Sequence, residues 1–194
     1  MDIRKLIVRK KEMFSKEECQ LIIDNKDSYD MKPAATFGNY NLNAQTSDTR
    51  IGQVGWIDPE DFPYIERVKD FIRGYNQLER FYLNDKIELQ FCEYEKGAWF
   101  RRHQDFYMNL SSRKGFDKVR KISITIQLSD SEDYVGGDVV ITTDVNDIGS
   151  KGFPISRNIG DAIAFPSYFD HQVNKIESGT RYSLVVWQYG PHWK

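Results

Sequence analysis

Apolar and polar residues alternate with a period of two over most of the chain from Lys86 onward. The alternating segments are rich in β-branched and aromatic residues, and glycine-containing turns separate them. They are KIELQFCEYE, KVRKISITIQLSD, GDVVITT, DAIAFP, HQVNKI and RYSLVVWQYG. Six or more short strands without intervening helices predict a barrel or a double-sheet jelly roll.

The residues before position 86 show helical periodicity in two places. Ser15 and Glu18 have the spacing of a capping box ahead of an apolar run, which predicts a short helix. Apolar residues recur at helical spacing from Pro59 to about Phe81, which predicts a long amphipathic helix interrupted near Gly74. Residues 3–9 alternate weakly, in the manner of an edge strand.

The helical first half and the β second half are not separated by a composition shift or by a Pro/Ser-rich linker. We therefore expect a single domain over residues 1–194, of the mainly β (α+β) class. Residues 86–190 would form the jelly-roll core. Residues 1–85 would supply helices, a strand and loops that buttress one face of it.

Basic and acidic residues nearly cancel, with 27 Lys plus Arg against 29 Asp plus Glu. The overall charge therefore gives no reason to expect a nucleic-acid partner. The N-terminus lacks a leader-like apolar stretch, and no segment approaches 18 apolar residues. We expect a soluble, cytoplasmic protein without a membrane segment, in which Cys19 and Cys92 are reduced and structural.

Two of the three histidines occur where a metal site would need them. His103 and Asp105 form an H-x-D pair, and in an extended segment these two side chains project from the same face. His171 follows an apolar strand and a turn, so it can reach the pair from a neighbouring strand. Two histidines and one carboxylate leave coordination positions open, as in iron(II) enzymes that bind a co-substrate and dioxygen. A structural zinc site would instead need four protein ligands.

This histidine pattern is weak on its own, since both histidines can equally be surface residues or hydrogen-bonded core residues. Arg181, ten residues after His171, strengthens it. Strand alternation points Arg181, Ser183 and Val185 to one face, and a buried arginine is costly unless it is paired. A ligand carboxylate can bind the guanidinium in bidentate fashion. A salt bridge to an interior Asp or Glu is the alternative.

Several sequence blocks occur in a fixed order around these residues. They are Tyr94-x-x-Gly97-x-x-Phe100, residues 126–129, Tyr134-x-Gly136-Gly137-Asp138, residues 160–165 and residues 180–183, with a thinner match at residues 49–57. Their order and spacing resemble the iron(II)- and 2-oxoglutarate-dependent oxygenases of the double-stranded β-helix fold, most closely the prolyl 4-hydroxylase type. The resemblance covers residues 86–190.

The resemblance implies a cofactor set of iron(II), 2-oxoglutarate and dioxygen, and it leaves ascorbate open as an accessory. By position, it implies that His103, Asp105 and His171 ligate the iron. It also implies that Arg181 binds the distal carboxylate of 2-oxoglutarate. The reaction implied is hydroxylation of a C–H bond with release of succinate and carbon dioxide.

The resemblance assigns further residues to the co-substrate. Tyr94 matches a position whose hydroxyl hydrogen-bonds the co-substrate, although an ordinary strand aromatic is the alternative, and Ser183 can assist Arg181. Gln127 stands where some relatives place a tyrosine that helps to bind the distal carboxylate, and its amide can still donate a hydrogen bond. Phe100 stands where relatives often have Tyr, which removes a hydroxyl from the edge of the site.

The substrate that the resemblance favours is a peptide or protein, hydroxylated at a prolyl-type residue. We expect loops at residues 30–50 and 106–120 to hold it, with Arg50, Trp99 and Tyr107 in contact. A free amino acid or small metabolite is the alternative substrate. A catalytically silent jelly-roll binding module and a cupin-type metal hydrolase or isomerase are the alternative functions. The oligomeric state stays open.

Overall fold

The computed structural model describes residues 3–34, 49–106, 119–142 and 152–191, and antiparallel strands form most of them. Two α-helices occur among these residues, Lys16–Asp24 (α1) and Ile65–Glu79 (α2), together with 3-10 turns at Ile3–Leu6 and Lys26–Tyr29. The strands in chain order are Val8–Lys10 (β1), Lys32–Pro33 (β2), Arg50–Ile51 (β3), Gln53–Ile57 (β4), Ile87–Tyr94 (β5), Trp99–His103 (β6), Val119–Gln127 (β7), Tyr134–Gly136 (β8), Val139–Thr142 (β9), Phe153–Pro154 (β10), Ala162–Pro166 (β11), Asp170–Val173 (β12), Ile176–Gly179 (β13) and Arg181–Gly190 (β14).

Two main sheets organise these strands. Seven strands form one sheet in the order β1-β11-β7-β14-β5-β4-β2, and five form the other in the order β10-β9-β12-β6-β3. β8 and β13 form a short third sheet. The paired strands among the described residues run antiparallel. This arrangement confirms the predicted mainly β, jelly-roll class.

Both helices cover one face of the seven-stranded sheet, as predicted. Ser15 caps α1 with the predicted capping box, in which its side chain accepts from the Glu18 backbone and Glu18 accepts from the Ser15 backbone. The buried residues of the two helices share a core with one face of β5, β7 and β14. This core includes Cys19, Ile22, Val68, Ile72, Leu89, Phe91, Ile122, Ile124, Ile126, Leu184 and Val186.

The helix predicted from Pro59 begins later, at Ile65, and Gly74 does not interrupt it. Pro63 explains the later start, because the residue before a proline is disfavoured in the α region. Residues 58–62 instead form turns closed by backbone hydrogen bonds onto Asp58 and Pro59. Gly74 lies on the exposed face of α2, with no neighbouring atom within 4 Å of the position a Cβ would occupy.

The N-terminal segment differs in part from the edge strand predicted for residues 3–9. A 3-10 turn occupies Ile3–Leu6, and β1 begins at Val8. β1 pairs with β11 at one edge of the seven-stranded sheet, so the predicted edge position is confirmed. The Leu6 side chain is buried, and its carbonyl accepts a hydrogen bond of 2.8 Å from the Tyr75 hydroxyl of α2. These contacts with distant residues fix the turn, and strand alternation does not reveal them.

The opposite face of the seven-stranded sheet faces the five-stranded sheet and carries polar residues. On β14, Leu184 and Val186 belong to the helix-side core, whereas Arg181, Ser183 and Val185 line a pocket between the sheets. The predicted alternation of this strand is therefore confirmed. Both cysteines are buried and free, Cys19 on α1 and Cys92 on β5.

The two loops predicted at residues 30–50 and 106–120 are described only at their ends. Residues 35–48 and 107–118 lie outside the described part of the chain. Among the described residues, no helix is both long and apolar enough to cross a membrane.

Alanine substitutions at two glycines should change the free energy of unfolding in opposite directions. Gly160 has φ +77°, and a Cβ there would lie 2.0 Å from the Phe14 carbonyl oxygen, so Gly160→Ala should lower the free energy of unfolding by about 2 kcal/mol or more. Gly74→Ala should raise it by about 0.5 to 1 kcal/mol, because alanine has the better helix propensity. Urea unfolding of both variants measures these changes. A neutral Gly160→Ala would contradict the close packing of Gly160 on Phe14.

Candidate metal centre

His103, Asp105 and His171 converge between the two sheets. His103 ends β6 and His171 lies on β12, and the two residues are direct partners across the antiparallel pair. Asp105 lies two residues beyond the end of β6. The prediction that His103 and Asp105 share one face assumed an extended segment, and Asp105 lies outside that strand. The candidate ligand atoms of all three residues lie within 4.8 Å of one another. The histidine Nε2 atoms lie 3.7 Å (His103) and 3.4 Å (His171) from the two Asp105 carboxylate oxygens.

Backbone carbonyls set the orientation of both imidazoles. His103 Nδ1 lies 2.8 Å from the Arg101 carbonyl oxygen, and His171 Nδ1 lies 3.1 Å from that of Phe169. Because a carbonyl only accepts, each Nδ1 carries the proton and donates it. Each Nε2 then offers its lone pair toward Asp105, which is the arrangement of a metal-binding histidine.

The protonation states in this cluster also suit a cation. Burial lowers the pKa of His171 to about 4, with the neighbouring His103 acting in the same direction, so His171 is neutral at pH 7. Burial alone would raise the pKa of Asp105, but the two imidazoles outweigh it and hold that pKa below its usual range. A neutral imidazole and an ionised carboxylate are the forms that bind metals. The three residues therefore fit a divalent ion.

Ser123 holds the Asp105 carboxylate and is itself in contact with Ser167. The Ser123 hydroxyl donates to Asp105 Oδ2 at 2.7 Å, and its oxygen lies 2.9 Å from the Ser167 hydroxyl. Sequence reasoning missed both residues. For Ser123 a signal was available, because Ser123, Thr125 and Gln127 alternate with isoleucines on β7 and so mark a polar inner face.

A charged pair joins the strands that carry the histidines. Arg102 precedes His103 on β6, and its Nε and Nη2 donate to Asp170 Oδ2 at 2.9 and 2.7 Å. Asp170 precedes His171 on β12.

The Phe100 ring stacks on the His103 imidazole, with centroids 3.6 Å apart and an interplanar angle of 19°. These contacts limit the movement of both histidines.

Arg181 lies in the same pocket and is 3% exposed. Its Nε donates to Gln127 Oε1 at 3.1 Å, and its Nη1 donates to the Ser183 hydroxyl at 3.2 Å. The alternative of an interior salt bridge finds no support, since Arg181 has no Asp or Glu ion-pair partner among the described residues. Its charge is therefore available to an anionic ligand.

Of the other predicted site residues, some line the pocket and others do not. Tyr94 is buried, pairs with Arg181 across β5 and β14, and lines the pocket, as Arg50 does. Gln127 contacts Arg181 without lining the pocket, and its amide also donates to the Tyr134 hydroxyl at 3.0 Å. Trp99 is half-buried on β6 and does not line the pocket. Tyr107 lies outside the described residues.

Curated relatives match about half of this chain. A PKHD-type hydroxylase of Thermosynechococcus vestitus is 34% identical over 116 residues, which is 58% of this chain and 48% of the relative. A PKHD-type hydroxylase of a Psychrobacter species is 30% identical over 97 residues, which is 50% of this chain and 36% of the relative. The chain thus spans less than half the length of these relatives.

Solved structures match nearly the whole chain in fold. A prolyl-4-hydroxylase of Pseudomonas putida superposes with a TM-score of 0.70 at 19% identity, covering 97% of this chain and 94% of that one. A viral collagen prolyl hydroxylase of Paramecium Bursaria Chlorella virus-1, in its 2OG complex, gives a TM-score of 0.68 at 15% identity, covering 95% and 96%. At these identities the similarity establishes the fold.

The family follows from a match that includes the candidate metal ligands and most of the pocket. The model of the 2OG-Fe(II) oxygenase superfamily matches residues 89–189, slightly more than half of the 194-residue chain. The matched range contains the His103, Asp105 and His171 cluster together with Tyr94 and Arg181, and members of the family use iron(II), 2-oxoglutarate and dioxygen. The resemblance drawn from the sequence is confirmed, and the chain belongs to the 2OG-Fe(II) oxygenase superfamily.

Proposed function

We propose that this chain is an iron(II)- and 2-oxoglutarate-dependent dioxygenase that hydroxylates a C–H bond of its substrate. One observation carries the proposal. A His103, Asp105 and His171 cluster suited to a divalent ion shares a pocket with Arg181, a buried cation that has no carboxylate partner among the described residues. A silent binding module would need neither feature, and a metal hydrolase would not need the arginine.

His103, Asp105 and His171 would hold the iron through two Nε2 atoms and a carboxylate oxygen. Their orientation is set before any ion arrives, because carbonyls hold the Nδ1–H groups and Ser123 holds the carboxylate. When bound, iron(II) with 2-oxoglutarate and dioxygen supplies the oxidising chemistry, in which 2-oxoglutarate becomes succinate and carbon dioxide while the substrate gains a hydroxyl.

Arg181 would bind the distal carboxylate of 2-oxoglutarate through its planar guanidinium. Gln127 and Ser183 fix that guanidinium by accepting hydrogen bonds from it. Burial raises the pKa of Tyr94, so its hydroxyl is protonated at pH 7 and can donate to the co-substrate. Gln127 stands where some relatives place a tyrosine, and its side chain orients Arg181 in place of that hydroxyl.

The substrate we favour is a peptide or protein with a prolyl-type residue. The fold similarity to prolyl hydroxylases supports this choice, and a further structure of similar fold, from Trichoplax adhaerens, is a prolyl hydroxylase in complex with a hypoxia inducible factor peptide fragment. Arg50, Trp99 and Tyr107 are the residues we assign to substrate contact. A free amino acid or small metabolite is the alternative substrate.

The assay that tests this function measures succinate release from 2-oxoglutarate, with ascorbate present to keep the iron reduced. We expect release that needs iron(II) and dioxygen and that a substrate stimulates in a panel of proline-containing peptides, proteins, free amino acids and nucleic acids. Stimulation by peptides would support the favoured substrate, and stimulation by a free amino acid alone would support the alternative. Failure of iron and 2-oxoglutarate to support any succinate release would contradict the proposed reaction.

Substitutions at the metal cluster should separate ligands from the residue that positions them. Binding of a divalent ion should raise the unfolding temperature of the protein, and His171→Ala should abolish that rise. Ser123→Ala should weaken metal affinity by about tenfold to a hundredfold, the usual effect of losing a partner that orients a ligand. Thermal unfolding against zinc(II) or anaerobic iron(II) measures both effects. Ser178→Ala, on exposed β13, is the control that should behave like wild type.

Substitution of Arg181 should change co-substrate affinity. Arg181→Lys keeps the charge but loses the planar fork, so the KM for 2-oxoglutarate should rise, and Arg181→Ala should raise it further. Truncating a buried charge-assisted contact costs about 2 to 5 kcal/mol, or roughly thirtyfold to several thousandfold in affinity. Steady-state succinate release measures the KM. An unchanged 2-oxoglutarate dependence in Arg181→Ala would mean that another residue anchors the co-substrate.

A further inference from the structure

A second buried arginine, Arg50, lines the pocket and is 7% exposed. It lies on β3, where it pairs with Phe100 of β6. Its guanidinium carbon lies 4.6 Å from the centre of the Phe100 ring and 5.7 Å from that of Tyr94. Because the Phe100 ring also stacks on His103, the Arg50 cation lies on the side of the pocket that holds the metal cluster.

The hydrogen-bond partners of Arg50 among the described residues are neutral groups, with the Tyr94 hydroxyl among them. Its Nη2 donates to Gln90 Oε1 at 3.3 Å and contacts Cys92 Sγ at 3.5 Å. Its Nε is buried and has no hydrogen-bond partner in the part of the chain that the structure describes. Arg50 also lacks an Asp or Glu ion-pair partner within the described residues. A buried charge without an oppositely charged partner is destabilising, so this guanidinium is suited to receive an anion.

Three partly exposed arginines outside the pocket do have carboxylate partners. Arg102, Arg120 and Arg157 are all more exposed than Arg50, and each forms an ion pair with a carboxylate, on Asp170, Glu88 and Asp138 respectively. Over the described ranges, Arg50 and Arg181 are the buried arginines without such a partner. Their shared location indicates ligand binding more than structural pairing.

The neighbours of Arg50 do not neutralise it. Burial raises the pKa of the Cys92 thiol and of the Tyr94 hydroxyl, so both groups are uncharged at pH 7. Gln90 is a neutral amide. The aromatic faces of Phe100 and Tyr94 attract the cation but carry no negative charge that would neutralise it.

When the charges of the described pocket lining and of its proposed ligands are added, one positive charge remains without a negative counterpart. The described lining carries two guanidinium groups, Arg50 and Arg181, and a single carboxylate, Asp105. A divalent ion and the dianion 2-oxoglutarate cancel each other, so a net charge of one positive unit remains. Arg181 is the arginine held in place by Gln127 and Ser183, which leaves Arg50 for another anion.

We infer that Arg50 is a second carboxylate site, and that the substrate of the proposed reaction bears a carboxylate which binds there. The inference rests on the proposed function and deepens it. It names the substrate class as an anionic molecule or segment whose carboxylate lies near the reacting carbon. The source of that group is either the α-carboxylate of a free amino acid or an acidic side chain of a peptide.

Trifluoroacetate, followed by fluorine NMR, is a small probe that tests this site without turnover. The protein would carry zinc(II) in place of iron and saturating 2-oxoglutarate, so that Arg181 is already occupied. Trifluoroacetamide is the neutral control of nearly the same shape. The variants are Arg50→Gln, Arg50→Lys and, as a matched control, Arg73→Gln, which removes the same charge from exposed α2. Thermal unfolding checks that each variant is folded.

We expect saturable binding of trifluoroacetate that is at least about tenfold weaker in Arg50→Gln, a change of about 1.4 kcal/mol. Arg50→Lys should be intermediate, and Arg73→Gln should match wild type. Equal affinity in wild type and Arg50→Gln, or equal binding of the amide, would overturn the inference. Loss of wild-type probe binding as 2-oxoglutarate is titrated from zero to saturation would also overturn it, because the probe would then occupy the co-substrate site.

The affinity for 2-oxoglutarate separates this inference from the proposed function. The affinity of Arg50→Gln for 2-oxoglutarate should stay within about threefold of the wild-type value. The affinity of Arg181→Gln should be at least about tenfold lower, which corresponds to about 1.4 kcal/mol. An Arg50→Gln loss as large as that of Arg181→Gln would place Arg50 in the co-substrate site and overturn only the present inference. Absence of 2-oxoglutarate binding in wild type would contradict the proposed function as well.

Displacement of the bound trifluoroacetate identifies the source of the carboxylate. Displacement by L-proline but not by L-prolinamide would indicate a free amino acid. Displacement by a prolyl-glutamyl peptide but not by its prolyl-glutaminyl counterpart would indicate an acidic peptide. Displacement by the neutral amides as effectively as by the acids would contradict a carboxylate site at Arg50.

Discussion

Three charged side chains are buried between the two sheets, and the surrounding packing has to offset the cost of that burial. Arg50, Asp105 and Arg181 are each 7% exposed or less, and they face a common pocket. Buried charges are stable only when they are paired or hydrogen-bonded. The apolar core under the helices and the pairing of β6 with β12 therefore serve to keep these groups in place and largely out of water, at a site where ligands complete their pairing.

The pairing of His103 with His171 brings two possible metal ligands together beside the buried charges. Because the two residues are direct partners across β6 and β12, their imidazoles lie on neighbouring strands of the same sheet, with ring centroids 4.2 Å apart. Arg181 comes from the opposite sheet. The space between the sheets is thus bounded by groups suited to a metal on one side and a group suited to a carboxylate on the other, which explains how one small pocket can combine both functions.

Features governed by local alternation could be predicted from the sequence, and features governed by distant pairing could not. The period of two along β14 was sufficient to place Arg181 and Ser183 on the inner face, and the capping box was sufficient to start α1. The burial of Arg50 depends on a two-residue strand that pairs with β6, and no local pattern shows it. The start of α2 was missed because helical spacing of apolar residues outweighed the effect of Pro63 in the prediction.

In the proposed function, the histidine cluster and Arg181 hold a metal and 2-oxoglutarate as a single site. Anaerobic titration of the iron(II) protein with 2-oxoglutarate, followed by visible absorption, tests it most directly. The account predicts a weak charge-transfer band that grows to saturation as 2-oxoglutarate chelates the iron, and that is absent when iron is omitted. Saturable binding of both iron(II) and 2-oxoglutarate without any such band would contradict the account, because the two would then occupy separate sites.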